Sequence, residues 1–154
     1  MPLKPLKFDA SEGGFSVSCH LDLSRARSVS NLTGSAPPLA FQVGLELVVN
    51  LLAPNVPDRY FEFGGIRKPL EWSGAVEGSA LSVTDEWQNV TVEVEARGAR
   101  KMWVAPVETV SESEEGFERV YQGSQILGVW PVDFEFSENW SSETIIRVRP
   151  ARNI

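Results

Sequence analysis

The sequence predicts an all-β protein, a two-sheet antiparallel β-sandwich, and three observations support that prediction. Short segments of alternating apolar and polar residues recur along most of the chain. Glycine and proline pairs separate several of these segments, as they do at turns between strands. No segment keeps the 3.6-residue apolar period of a helix over more than about ten residues. Roughly eight to ten strands with long connections are typical of two packed antiparallel sheets.

The strongest strand prediction covers Leu39–Leu52. Its odd positions are all apolar, whereas its even positions are mixed. Because the side chains of a strand alternate between two faces, this pattern places every odd residue on one face. We therefore expect a central strand whose odd residues face the core, namely Leu39, Phe41, Val43, Leu45, Leu47, Val49 and Leu51.

The other elements follow the same rules. Phe15–Leu23 alternates and places Cys19 on its apolar face, where a buried thiol is expected. Ser24–Pro38 is rich in Ser, Arg, Gly and Pro and is predicted to be a loop, and Pro54–Pro57 is predicted to be a turn. Gly64-Gly65 predicts a two-residue hairpin turn. Further strands are predicted at Arg59–Phe63, Ile66–Leu70, Leu81–Asp85, Asn89–Ala96, Met102–Val107, Gln125–Phe136 and Thr144–Val148.

Composition limits the class of protein and its partners. The 154 residues are expected to form one domain, with residues 1–7 as an extended N-terminal arm. The net charge is −7 and the 14 basic residues form no cluster, so neither nucleic acid nor a membrane surface is an expected partner. No apolar run reaches about 18 residues and the N-terminus lacks a signal-peptide pattern, so we expect a cytoplasmic protein. One cysteine and one histidine argue against disulfides and zinc.

The segment Glu108–Ser124 is predicted to be a long, ordered loop between two strands. It contains five glutamates, an arginine, a tyrosine and a glutamine around Gly116, far more than a turn needs. Arg119 is expected to pair with one or two of the carboxylates. Apolar side chains are expected to tuck under the loop as anchors, namely Val107, Val110, Phe117 and Val120.

Three kinds of site are compatible with this segment. A glycosidase acid/base pair needs two carboxyl groups about 5–10 Å apart, which spacing along a loop does not establish. A calcium site is compatible with irregular loops, but the regular Asp/Asn spacing of an EF-hand is missing. We expect no metal, no cofactor and no catalytic residue. A solvated acidic loop and a carbohydrate-binding site are the remaining interpretations.

A carbohydrate site is the favoured functional interpretation. A sugar ring has an apolar face that stacks on an aromatic ring and a hydroxyl rim that needs donors and acceptors. The alternative is core packing for the tryptophans, an exposed surface position for His20 and a hairpin flank for Arg59. The candidate carbohydrate-binding residues are Glu108, Glu114, Arg119, Tyr121, Gln122, Trp103, Trp130, Arg59 and His20.

The segment Pro106–Ser124 and the Trp130-Pro131-Val132 that follows it carry a family resemblance. They resemble the C-terminal β-domain of the α-amylases and 4-α-glucanotransferases of glycoside hydrolase family 57. The resemblance is strong from about Trp103 to Val132 and looser upstream, and Glu112 stands where the family pattern has glutamine. It implies a sandwich related to the galactose-mutarotase-like fold. It also implies that the catalytic residues lie in a separate barrel with a His-x-His motif, which a chain with one histidine cannot contain.

Three functions therefore stay open. The first is a non-catalytic domain that binds an α-glucan or maltooligosaccharide, or packs on a glycoside hydrolase barrel in its own chain or in a partner. The second is a mutarotase-like epimerase, in which His20 and one of Glu46, Glu108 and Glu114 would serve as acid and base. The third is a pure assembly domain that forms a homodimer through exposed edge strands.

Overall fold

The computed structural model describes residues 7–11, 13–22, 41–51, 53–113, 116–132 and 139–151. Within these ranges the chain forms eleven β-strands and no helix, so no helix there has the length and apolarity to span a membrane. The strands are β1 (Lys7–Ser11), β2 (Gly14–Asp22), β3 (Phe41–Val49), β4 (Arg59–Phe63), β5 (Ile66–Pro69), β6 (Gly74–Glu77), β7 (Ala80–Asp85), β8 (Val90–Arg97), β9 (Lys101–Ser113), β10 (Gly116–Val132) and β11 (Asn139–Arg149).

The strands form two antiparallel sheets that share one core. The larger sheet has the order β1-β2-β11-β8-β7-β4-β5, and the smaller sheet has the order β3-β10-β9-β6. Phe61 and Val83 of the larger sheet are fully buried in the same cluster as Val76, Met102 and Ile126 of the smaller sheet. The predicted all-β, two-sheet antiparallel sandwich is thus confirmed.

Strand β3 confirms the predicted alternation but not the predicted central position. Leu45, Leu47 and Val49 pack against the core, and Val43 packs against a second cluster built on Leu21 and Val132. The even positions of β3 are exposed. However, among the described residues β3 pairs with β10 alone, which places it at the edge of the smaller sheet as described. Alternation shows which face is buried and carries no information about the number of neighbouring strands.

The predicted turns and hairpins are largely confirmed. Gly64 and Gly65 both have positive φ, 55° and 76°, as a two-residue hairpin turn between right-twisted strands requires. Residues 54–58 form the predicted bend before β4. Strand β6 was not predicted, because four residues are too few to show a period. Lys7, which was placed in the N-terminal arm, begins β1. Residues 1–6, the predicted loop Ser24–Pro38 and Leu39 lie outside the described residues.

The segment predicted to be a loop is instead a β-hairpin. Strands β9 and β10 pair from the core outward, with Tyr121 opposite Glu108 and Gly116 opposite Ser113. In the part of the chain that the structure describes, residues 108–113 and 116–121 pair only with each other, beyond the ends of β3 and β6. We call these residues the hairpin arm. Both of its faces are solvent-exposed, so no buried stripe marked it as strand in the sequence.

The apolar residues of the hairpin arm do not anchor it as expected. The side chains of Val110, Phe117 and Val120 are 61%, 78% and 42% exposed, and only Val107, at the base, is half-buried. The prediction required a loop that folds back on the sheet, whereas a two-stranded ribbon projects both of its faces into solvent.

Candidate functional site

A cleft of about 440 Å³ lies at the root of the hairpin arm. Three parts of the chain build it: the end of β3 with the bend that follows, the β5–β6 connection, and the base of the arm. The apolar lining consists of Leu51, Ala53, Pro54, Pro106 and Val120. The polar lining consists of Asn50, Glu71, Glu108, Glu118, Arg119 and Tyr121.

Two backbone features shape this cleft. The register of β9 and β10 shifts between Tyr121 and Gly123, so that Gln122 is the extra residue of a β-bulge. A bulge bends its strand and increases the local twist, which sets the arm at an angle to the sheet. Gly123 then passes close to β3. A Cβ at this position would lie only 3.1 Å from both Val48 Cγ1 and Val49 O. Glycine, which has no Cβ, therefore lets β10 approach β3 closely here.

Arg119 forms an ion pair across the hairpin arm at the edge of the cleft. Its Nη1 donates to Glu108 Oε2 at 3.4 Å, and its side chain is 73% exposed. An exposed pair of this kind contributes little to stability. The lining contains three carboxylates, those of Glu71, Glu108 and Glu118, and one guanidinium, so it is net negative. Such a lining repels anions and offers acceptors to a neutral ligand rich in hydroxyl donors.

Tyr121 is the aromatic residue of the cleft. Its hydroxyl lies 2.6 Å from Ser124 Oγ, and Ser124 has no exposed surface. Burial raises the pKa of Tyr121, against a smaller opposite effect of the hydrogen bond to Ser124. The phenol is therefore neutral at neutral pH, and its ring is held in one orientation at the wall of the cleft.

Gln122 and Trp103 lie near the cleft without lining it. The Gln122 amide donates to Thr109 Oγ1 at 3.2 Å and to Val120 O at 3.4 Å, on the outer side of the arm. Trp103 is 46% exposed on the outer face of the smaller sheet, opposite Leu127 of β10. Its neighbours Met102 and Val104 point into the core, so strand alternation directs Trp103 outward.

Trp130 is a core residue, which corrects its prediction as a sugar-binding residue. It is 3% exposed, its indole N–H donates to Arg97 O at 2.7 Å, and its ring packs edge-on against Trp140 with centroids 6.4 Å apart. The even positions of β10 from Ser124 to Val132 are all buried. The position of Trp130 in that alternation, rather than its aromatic character, determines where it lies.

Arg59 and His20 are not brought to the cleft. Arg59 Nε donates to the buried Asp85 Oδ2 at 2.8 Å, so its guanidinium has a structural partner. The two residues lie 26 positions apart, and nothing in the sequence indicates that they pair. His20 lines a separate cleft of about 180 Å³ with Trp140 and three other residues. Glu114 lies outside the described residues.

This placement does not support the epimerase alternative. Glu108 lines the cleft at the arm, and Glu46 lies on the exposed face of β3. Neither lines the cleft of His20. Among the described residues, no group of three or more His, Cys, Asp or Glu side chains is arranged to hold a metal ion.

Three polar residues of the cleft were absent from the predicted carbohydrate site. Glu118 was counted only among the acidic residues of the segment. Asn50 interrupts the apolar end of Leu39–Leu52, which is a weak signal, and Glu71 follows β5 with no signal at all. The contribution of a residue on a distant turn cannot be recognised in the sequence, because only the packing of the sheets places that residue at the cleft.

Comparison with known proteins agrees with the family resemblance. Residues 20–144 match the family profile described as "Alpha-amylase/4-alpha-glucanotransferase, C-terminal". Alpha-amylase 1 of Dictyoglomus thermophilum is 36% identical over 111 residues, which cover 69% of this chain and 15% of that protein. The crystal structure of 4-alpha-glucanotransferase from Thermococcus litoralis superposes with a TM-score of 0.57 at 21% identity, over 95% of this chain and 18% of that one.

The chain thus spans less than a fifth of the length of either relative. The structural match, at 21% identity, shows the fold alone. The profile match covers most of the chain, including β3 to β10 and the whole hairpin arm. On the strength of that match, this chain belongs to the family of C-terminal domains of α-amylases and 4-α-glucanotransferases.

Proposed function

We propose that this chain is a non-catalytic β-sandwich domain that binds an α-glucan at the cleft beside the hairpin arm. The observation that carries the proposal is the convergence of Glu108, Arg119 and Tyr121, three of the predicted sugar-binding residues, on one cleft. The names of the relatives identify them as an α-amylase and a 4-α-glucanotransferase, and both names imply an α-glucan as substrate.

The lining of the cleft suits a neutral polyol. Carboxylates of Glu71 and Glu118 accept hydrogen bonds from sugar hydroxyls, and the exposed guanidinium of Arg119 donates to them. The wall formed by Leu51, Pro106 and the Tyr121 ring is apolar and suits the flat face of a pyranose. A few fixed polar groups on an apolar wall are typical of small-ligand sites.

Affinity electrophoresis in gels with and without amylopectin tests this proposal. We expect wild-type protein to be retarded by the polysaccharide and Arg119→Ala to lose most of that retardation. Arg147→Ala is the matched control, because Arg147 is also an exposed arginine that contacts a glutamate, Glu95, at 3.3 Å, on the other sheet. Both variants change the net charge equally. Equal retardation of the two variants would contradict binding at the cleft.

A second proposal is that the hairpin arm packs on another protein surface, such as the barrel of a glycoside hydrolase. Val110 and Phe117 are 61% and 78% exposed on a ribbon with solvent on both faces, and exposed apolar residues of this size mark contact sites. Light scattering distinguishes a homodimer: the mass of wild-type protein would double and Phe117→Ser would restore the single mass. If wild type and Phe117→Ser both have the mass of one chain, the homodimer is excluded. Packing on a barrel is then tested by mixing the chain with the catalytic domain of a relative.

A further inference from the structure

The turn between β7 and β8 presents a tryptophan that no part of the cleft uses. Trp87 is 79% exposed, the largest value among the exposed large apolar side chains in the part of the chain that the structure describes. Within the same residues, no aromatic ring or cation packs on its indole. An indole exposed to this extent on a turn leaves its flat face available for a ligand to stack on.

The turn that carries Trp87 is held rigidly. Asn89 N–H donates to Glu86 O at 3.2 Å, which closes a four-residue turn with Trp87 and Gln88 at its centre. Gln88 N–H donates to Asp85 Oδ1 at 2.8 Å, and Asn89 takes a positive φ of 53°. Asparagine tolerates this conformation better than other side chains.

Contacts from β4 and β5 fix the base of the same turn. Glu86 N–H donates to Asp58 O at 2.9 Å, and Tyr60 Oη donates to Glu86 Oε1 at 2.9 Å. The Arg67 guanidinium lies 4.1 Å from the centroid of the Tyr60 ring. The tryptophan is thus exposed on a backbone that is already ordered. Because little of the protein has to become ordered when a ligand stacks on it, little binding free energy is lost in that way.

The surroundings of Trp87 favour a sugar over a protein as its ligand. Its sequence neighbours Glu86, Gln88 and Asn89 are all polar and exposed. A protein interface needs a contiguous apolar centre within about 1,200 Å² or more of buried surface. A pyranose needs one flat ring for its apolar face and a few amide or carboxylate groups for its hydroxyls. A single indole ring among amides and a carboxylate fits the second description.

We propose that Trp87 is a second carbohydrate-binding site, a surface platform on which one glucose residue of an α-glucan stacks. The two amides of Gln88 and Asn89 serve as hydrogen-bonding partners for its hydroxyls. This inference shares with the proposed function the premise that the ligand is an α-glucan. It does not depend on the cleft, because none of its residues lines that cleft.

Affinity gels with amylopectin and titration with maltoheptaose test the platform. Trp87→Ala is expected to weaken binding about tenfold, which corresponds to the loss of one stacked ring. Phe15→Ala removes another exposed aromatic ring, on β2 of the larger sheet, and is the matched control. In the wild-type protein, the indole N–H resonance of Trp87, identified by its absence in Trp87→Phe, should shift with maltoheptaose. The control indole of Trp130, which bonds to Arg97 O, should not.

Each outcome separates this inference from the proposed function. Loss of binding in Trp87→Ala with Phe15→Ala unchanged supports the platform, whether or not Arg119→Ala binds. Loss in Arg119→Ala alone, with a static Trp87 resonance, overturns the platform and leaves the cleft. Equal losses in Trp87→Ala and Phe15→Ala overturn the platform, because they indicate unspecific contact with exposed aromatic rings. Absence of retardation in the wild-type protein, with no shift, overturns both sites.

Discussion

Arg59 and Asp85 form an ion pair at 2.8 Å in which the carboxylate has no exposed surface and the arginine side chain is 11% exposed. The two residues face each other across β4 and β7. The second oxygen of Asp85 accepts the N–H of Gln88, so one buried carboxylate joins two strands and a turn. A buried charge with these partners is strongly destabilising once one partner is removed.

Arg59→Ala is therefore expected to lower the free energy of unfolding by about 3 kcal/mol, because it leaves the Asp85 carboxylate buried without its counter-ion. Urea denaturation measures the loss. Arg67→Ala is the control: Arg67 also contacts a carboxylate at 2.8 Å, that of Glu62, but its side chain is 49% exposed. Its removal should therefore cost much less than that of Arg59. Similar losses in the two variants would show that the burial of Asp85 is not what makes the pair important.

The two faces of β3 provide a second stability prediction. Leu45→Ala is expected to cost about 2 kcal/mol, at the low end for leucine, because Leu45 is packed against the core but only partly buried on an edge strand. Val48→Ala, on the opposite face and 54% exposed, should change stability by less than about 0.5 kcal/mol. Thermal unfolding of both variants measures the difference. A larger loss for Val48 would mean that the buried face of β3 is assigned wrongly.

The sequence was most informative where burial is one-sided and turns are short. The alternation of β3 and the positive φ positions at Gly64-Gly65 were both recognisable, because each depends on residues adjacent in the chain. The hairpin arm was not recognisable as strand. A ribbon with solvent on both faces gives no alternation, and its glutamates resemble those of a loop.

Less of the candidate site could be predicted from the sequence, because part of it is assembled from residues distant in the chain. Glu108, Arg119 and Tyr121 lie on two paired strands, and their joint position follows from the segment itself. Glu71 comes from a turn that only tertiary packing places beside them. The ion pair of Arg59 with Asp85 could not be predicted either, because the two residues are distant in the sequence. Residue type alone could not separate a binding arginine from a structural one.

The larger sheet carries an ion-pair network that predicts a pH dependence. The hydrogen bond from Arg97 is the largest effect on the pKa of Glu95 and lowers it below its ordinary value of 4.5. Burial, the second-largest effect, opposes this shift, and the hydrogen bond from Arg147 adds to it. A lowered folded-state pKa stabilises the protein above that ordinary value, and the contribution is lost as the pH falls through the folded pKa.

Glu95→Gln should therefore lower the melting temperature at neutral pH, and the difference from wild type should shrink as the pH falls below 4.5 and through the lowered folded-state pKa of Glu95. The effect is expected to be small, because the Glu95 side chain is 34% exposed. Glu46→Gln, on the exposed face of β3, is the control for the loss of one negative charge. A difference between wild type and Glu95→Gln that persisted unchanged in acid would show that the ionised carboxylate is not responsible.

The hydrogen bond between Tyr121 and Ser124 predicts that stability and ligand binding can be separated at the cleft. Tyr121→Phe keeps the ring and removes the hydroxyl, so the buried Ser124 Oγ loses its partner at 2.6 Å. We expect a loss of about 1 kcal/mol in the free energy of unfolding, with amylopectin retardation preserved. Tyr121→Ala removes the ring and should reduce both quantities, because Tyr121 also packs against the core.

Ser124→Ala completes the comparison. If the hydroxyl pair is the cause, Ser124→Ala combined with Tyr121→Phe should cost less than the sum of the two single changes, because neither group is then buried without a partner. Urea denaturation of the four proteins measures this coupling. Strictly additive losses would show that the two hydroxyls stabilise the fold through separate contacts. A loss of retardation in Tyr121→Phe would place the phenol hydroxyl, rather than the ring, in contact with the glucan.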